Sequence, residues 1–140
     1  MKRIRAYMSH AIRGRLGLDA DKRTISENCN KAIVAGTIIS CCVPEIDLYV
    51  PAQHDEFIQI AYDKGFLTET EILDVDCTII SRCSLLLVYD WQGYISRGMM
   101  KEIEYAREHN VPMIVFNDVT DMVIDTIKEV ITLEIGAENG

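Results

Sequence analysis

Glu102 is the residue whose setting most invites chemistry. It lies in the stretch Asp90–Ala106, DWQGYISRGMMKEIEYA. The stretch reads as the end of a strand, a loop, and the first turns of a helix capped by Ser96 and running to about His109. On that helix Arg97, Lys101, Glu104 and Glu108 recur three or four apart and make a solvated charged stripe. Glu102 stands off the stripe. Its neighbours four residues to either side are Gly98 and Ala106, and Met99, Ile103 and Ala106 supply the core side beside it. A carboxylate on the edge of a buried face, between two residues with almost no side chain, looks out onto open space near a helix N-terminus. A helix N-terminus after the carboxyl end of a strand is where open α/β sheets take anionic ligands. Glu102 sits about 9 Å along the axis from Ser96. A phosphate held by Ser96 and the free N–H groups of the first turn would leave a sugar within reach of the carboxylate. Alternatively, Gly98 and Ala106 only let the helix pack closely on a neighbour. The spacing fits both readings.

The elements that must position Glu102 follow from periodicity. Residues 3–8 (RIRAYM) read as a first strand, followed by the loop SHAIRGRLGLDA. A helix over Asp21–Cys42 carries Ile25, Cys29, Ala32, Ile33 and Gly36 at helical spacing and ends at Pro44. EIDLYV gives a second strand closed by Pro51. A short helix spans Asp55–Lys64, stopped by Gly65. Another spans Thr68–Ser81, opened by a capping box of Thr68 and Glu71. SLLLVYD is the continuous apolar run of a strand covered on both faces. VPMIVF is a fourth strand, and a last helix covers Val119–Val130. ITLEI is expected as a short extra strand, with GAENG fraying beyond it. Strands alternating with helices predict an α/β fold of three layers, Rossmann-like and flavodoxin-like, with a mostly parallel sheet and right-handed crossovers. Ligands of such sheets bind beyond the carboxyl ends of the strands. Tyr7, Arg13, Ser96 and Glu102 are therefore expected to face one crevice, which Asp76 joins if its helix begins over the same edge.

Composition bounds the function. The 140 residues carry a net charge of −8, which argues against a general nucleic-acid binder but leaves room for a small phosphorylated ligand. A single domain over 1–140 is expected. The longest apolar stretch, Ala32–Val43, is broken by Gly36, Thr37 and Ser40 and is too short to cross a bilayer. Cys29, Cys41, Cys42, Cys77 and Cys83 lack metal-ligand spacing, and most sit in apolar contexts as small buried hydrophobes. The expectation is a cytoplasmic protein with no metal, no cofactor and no membrane or nucleic-acid partner.

Two patterns together resemble the nucleoside 2-deoxyribosyltransferase superfamily, most closely its 2′-deoxynucleoside 5′-monophosphate N-glycosidase branch. The first, Y-x-x-x-x-I-R-G, is met by Tyr7, Ile12, Arg13 and Gly14. The second, S-x-G-x-x-x-E-x-x-x-A, is met by Ser96, Gly98, Glu102 and Ala106. Between them lies Asp76, eight residues before Ser84 and its apolar strand. The resemblance implies that Glu102 is a nucleophile toward C1′ of the sugar and that Tyr7 orients it. It implies that Asp76 serves the base and proton transfer, and that Ile12, Arg13, Gly14, Ser96 and Gly98 surround the 5′-phosphate. It also implies a homodimer or higher homo-oligomer in which a neighbouring subunit completes the site. The chain departs from the glycosidases at Ala11, where they resemble a serine, and at His10, which replaces a glycine. His10 either supplies a substitute phosphate donor or fills the space.

The implied chemistry is coherent. Cleaving an N-glycosidic bond develops an oxocarbenium-like centre that a carboxylate can trap, while a carboxyl of raised pKa protonates the departing base. Hydrolysis of a nucleoside monophosphate is the leading expectation. Transfer of deoxyribose between bases and a non-catalytic nucleotide-binding module are the alternatives.

Overall fold

The computed structural model describes the backbone of residues 3–139, and the side chains of all of these but 15, 16, 18 and 135–139. Its centre is a four-stranded parallel sheet in the order β2-β1-β3-β4. The strands are β1 (Ile4–His10), β2 (Ile46–Tyr49), β3 (Leu85–Tyr89) and β4 (Met113–Phe116). In register, Tyr7 lies opposite Tyr49 on one side and Leu86 on the other, and Val88 lies opposite Val115. Every residue of β3 is buried, as a strand covered by helices on both faces requires.

Alternation along β1 separates the two faces. Ile4, Ala6 and Met8 join Leu85 and Leu87 in one core, covered by α1 (Lys22–Cys42) and α5 (Asp121–Asn139). Tyr7 joins Leu86 and Val88 in the other, covered by α3 (Glu69–Ser81) and α4 (Arg97–Glu108). This is the three-layer α/β arrangement expected of the chain. After β1 the chain moves to β2 on one side and then returns to β3 on the other. The carboxyl ends of β1 and β3 therefore flank the switch point where such sheets hold ligands.

The helix boundaries follow local chemistry. Asp21 caps α1 by accepting from the Thr24 N–H, and Thr68 and Glu71 close the expected capping box on α3. Ser96 caps α4 by accepting from the Met99 N–H. Between β2 and α3, a 3-10 turn at Pro51–His54 leads into α2 (Asp55–Asp63). That helix buries none of its residues, and Phe57 and Phe66 are exposed at and beyond it. No described helix is long and apolar enough to cross a membrane.

Three expectations need correction. The first strand extends two residues further than RIRAYM, through Ser9 and His10, both buried. Polar side chains end a strand in sequence reading, but here each has a hydrogen-bond partner inside the fold. ITLEI is not a strand: α5 continues through it to Asn139, while Gly140 lies outside the described residues. No turn signal separates ITLEI from the preceding helix, and Ile131 extends the buried stripe of Ile124 and Ile127 at helical spacing. Finally, only Cys29 and Cys83 of the cysteines are buried; Cys41 and Cys42 are exposed at the end of α1.

The continuation of α5 makes a prediction. In a strand Ile131 and Leu133 would share a face, whereas in the helix Ile131 is buried and Leu133 is 73% exposed. Urea unfolding should show Ile131→Ala losing about 2–4 kcal/mol and Leu133→Ala no more than about 0.5 kcal/mol. Equal losses would contradict the helix.

Candidate active site

Tyr7 and Ser9 occupy successive positions on the same face of β1, and both side chains end on Glu102 of α4. The Tyr7 hydroxyl donates to Glu102 Oε2. The Ser9 hydroxyl donates to Oε1 at 2.8 Å. All three are buried, Glu102 at 5% exposure and the other two at none. Glu102 thus lies beneath the helix, against the sheet, rather than open beside it. A carboxylate in such a place must have donors, because desolvation without them costs several kcal/mol or drives protonation. Here the strand supplies one donor to each oxygen.

Asp76 reaches the same cluster from the middle of α3, which packs against both α4 and β1. Its half-buried carboxyl lies near enough to act through charge on both Tyr7 and Glu102. Burial is the main influence pushing Asp76 up to about 6, with the nearby Tyr7 hydroxyl opposing it. Burial likewise pushes Glu102 up to about 7; the Tyr7 hydrogen bond opposes it, the Asp76 charge adds to it, and the Ser9 hydrogen bond opposes it. Tyr7 is raised well above an ordinary phenol, first by burial and then by the charges of Glu102 and Asp76. It stays a neutral donor. The two carboxyls titrate as a pair. Burial weighs more heavily on Glu102, yet both Glu102 oxygens accept hydrogen bonds, the pattern of an ionised carboxylate. These donors oppose the burial that raises Glu102. Behind Tyr7, Tyr49 stacks at 5.4 Å, and His54 stacks on Tyr49 at 4.7 Å. This aromatic stack supports the phenol from the side away from β3.

The loop after β1 is anchored separately. Asn28 of α1, 2% exposed, donates to the Ile12 carbonyl at 2.9 Å. Gly14 has φ +68°, and a Cβ there would lie 3.1 Å from Asn28 Nδ2 and 3.2 Å from Gln92 Oε1. The left-handed backbone favours glycine there, and a side chain would in addition press Asn28 and Gln92 back by a few tenths of an ångström. His10 points to the opposite face of the sheet from Ser9. Its Nε2 accepts from the Ala52 N–H at 3.2 Å, and Nδ1 lies 3.3 Å from the Ala11 carbonyl. Burial pulls this imidazole down to about 4, so it is neutral, with both nitrogens occupied by backbone. In this arrangement His10 fills space rather than reaching toward a ligand.

Arg13 does not touch the acid pair. Its guanidinium lies 3.8 Å from Glu69 in the first turn of α3. It lines a cleft of about 690 Å³ between α1 and α2, with Lys22, Asn30, Asp55 and Gln59 among the walls; Glu102 and Asp76 are not. Glu69 and Asp76 are seven residues apart, hence on one face of α3 and about 10 Å apart along its axis. Arg13 and the carboxyls consequently stand at two ends of that helical face rather than in contact. Ser96 is committed to its cap, leaving the N–H groups of Arg97 and Gly98 without an intrahelical acceptor. A Cβ at Gly98 would meet Leu73 Cδ2 at 3.5 Å, an ordinary contact, so packing on α3 does not by itself demand glycine there. Trp91 packs on the α1 side, with the Lys31 ammonium 5.1 Å above its ring, as a loop anchor would.

Sequence reasoning missed Ser9 and Asn28. Ser9 was legible only with the right strand end, since residues 7 and 9 share a face once β1 runs past Met8. Asn28 had a signal too: it stands beside the apolar stripe of Ile25, Cys29 and Ala32, where an amide needs a buried partner. Among the described residues no three His, Cys, Asp or Glu side chains gather as a metal ion would need. Comparison with protein-family models, curated proteins and solved structures finds no match for this chain. What fold and cluster define is an α/β protein with a buried, doubly hydrogen-bonded glutamate and a half-buried aspartate beside it, near the switch point of its sheet.

The acid pair gives stability a pH dependence of definite sign. Folded Glu102 and Asp76 hold their protons to higher pH than the unfolded chain does, so the native state binds more protons and stability falls as pH rises. The contribution is complete below the unfolded carboxyl values near 4 and lost through about 6 and 7. Urea unfolding across this range should show the native protein losing on the order of 3 kcal/mol more than Glu102→Gln. Identical slopes for the two proteins would rule out the buried pair.

Proposed function

We propose that the chain is a nucleotide N-glycosidase that hydrolyses the bond between base and sugar in a (2′-deoxy)nucleoside 5′-monophosphate. The observation that carries this reading is the Glu102 carboxylate, hydrogen-bonded at both oxygens and coupled through charge to a second carboxyl of raised pKa. Two carboxyls in unlike environments are the equipment of retaining glycosidic cleavage.

In this reading Glu102 attacks C1′. The C1′–N bond breaks, its electron pair passes to the base, and the base takes the Asp76 proton. Water then adds to C1′ as the C1′–O bond to Glu102 breaks and its pair returns to the carboxylate; Asp76 accepts the proton of that water. The products are free base and (deoxy)ribose 5-phosphate. Tyr7 holds Glu102 throughout. The phosphate is assigned to Arg13, whose planar fork suits it, together with the free N–H groups at Arg97 and Gly98. Ile12 and Gly14 shape that loop through their approach to Asn28. Two subunits are part of the proposal, because Phe57 and Phe66 lie exposed around a helix that buries nothing of its own.

Incubation with each deoxynucleoside monophosphate, followed by chromatography for free base, should show release by the native protein. Glu102→Gln should release none, and Asp76→Asn should be slowed about 10²–10⁴-fold. With a second base added, a new nucleotide would indicate transfer instead of hydrolysis. No base from any substrate, or undiminished release by Glu102→Gln, would overturn the proposal.

A further inference from the structure

Tyr7 alone would satisfy one oxygen of Glu102 and aim the side chain. The second donor therefore calls for its own account. Ser9 is fully buried on the sheet face, where a small apolar residue would pack as well, and its hydroxyl is spent on Glu102 Oε1 at 2.8 Å. Tyr7 and Ser9 are successive inward positions of one rigid strand, so their spacing is set by the pleat rather than by a mobile loop. Two donors on one strand, one for each oxygen, fix both the position and the rotation of the carboxylate plane.

We propose that Ser9 is a positioning residue for the Glu102 nucleophile, holding Oε1 so that the carboxylate meets C1′ as an anion in a single orientation and is released readily from the glycosyl ester. This rests on the glycosidase reading above. During attack, negative charge leaves the carboxylate as the C1′–O bond forms, and the Ser9 hydrogen bond weakens. When water displaces the sugar, the electron pair of that bond returns to Glu102, and the Ser9 O–H strengthens on the returning charge. Ser9 keeps its proton in both steps. The hydroxyl thus favours the ester's breakdown, which hydrolysis needs, while also keeping the resting carboxylate ionised in a buried setting that otherwise drives it toward its acid form.

The test compares the native protein with Ser9→Ala and with Ser9→Cys, a near-isosteric variant with a weak donor that guards against misfolding of the first. Base release from a deoxynucleoside monophosphate, followed across pH, should show the acid limb for Ser9→Ala displaced upward by about one pH unit, the worth of one hydrogen bond to a charge. kcat should fall about tenfold with KM unchanged, and Ser9→Cys should lie between. The same displacement should appear in folding, where the pH at which Glu102 loses its stabilising proton moves upward in Ser9→Ala. That readout requires no turnover. An unmoved stability midpoint in both variants overturns the role of Ser9. Failure of the native protein to release base from any nucleotide overturns the glycosidase reading, and is distinguished by the midpoint, which reports on the Ser9–Glu102 contact alone.

Discussion

The structure is built around one awkward demand, a carboxylate held out of water. Glu102 lies on the inner side of α4, against the sheet, and is tolerable there only because β1 offers it a phenol and a serine hydroxyl. This contact ties a helix to a strand ninety-odd residues earlier in the chain. It requires β1 to run past Met8, β3 to lie beside it in the observed register, and α4 to cross with Glu102 over Tyr7 and Ser9. Apolar packing by Met99, Ile103 and Ala106 brings α4 to the sheet; the hydrogen bonds then select one position of the helix within that packing.

The two faces of the sheet divide the labour. On the α1 and α5 side the core is almost wholly apolar, and the polar groups that enter it, His10 and Asn28, bind backbone and hold the loop after β1. On the α3 and α4 side the polar groups bind one another instead, as Tyr7, Ser9, Glu102 and Asp76. The first arrangement is satisfied and inert. The second leaves an acid pair whose ionisation opposes folding at neutral pH, because burial raises both groups. Perturbed groups of this kind gather at functional sites, which makes the pair the candidate for one.

Charge is also laid out along α3. Its first turn carries Glu69 beside Arg13, and two turns later Asp76 sits beside Tyr7. The solvent-facing ion pair contributes little to stability. A ligand phosphate with two charges would compete well with Glu69 for the guanidinium. The cation and the carboxyls are separated on one helical face, and the proposed assignment of a phosphate to one and a reacting sugar to the other rests on that separation.

The layered fold was legible in the residues because hydrophobic period reports which side of an element is covered, and caps and breakers report where it stops. SLLLVYD announced a strand buried on both faces; Thr68 with Glu71, and Ser96, announced helix starts. Within the site, the isolation of Glu102 between Gly98 and Ala106 could be read from spacing, as could Tyr7 and Arg13 at the sheet's edge. That Glu102 turns inward to two hydroxyls, that Asp76 meets it from mid-helix, and that Arg13 turns away toward Glu69 could not be read. Nor could the end of β1, since Ser9 and His10 look like loop residues until their partners are in place. Local pattern is a property of neighbours along the chain, whereas a buried polar group is decided by donors and acceptors that arrive from other elements, and only the assembled sheet and helices say which those are.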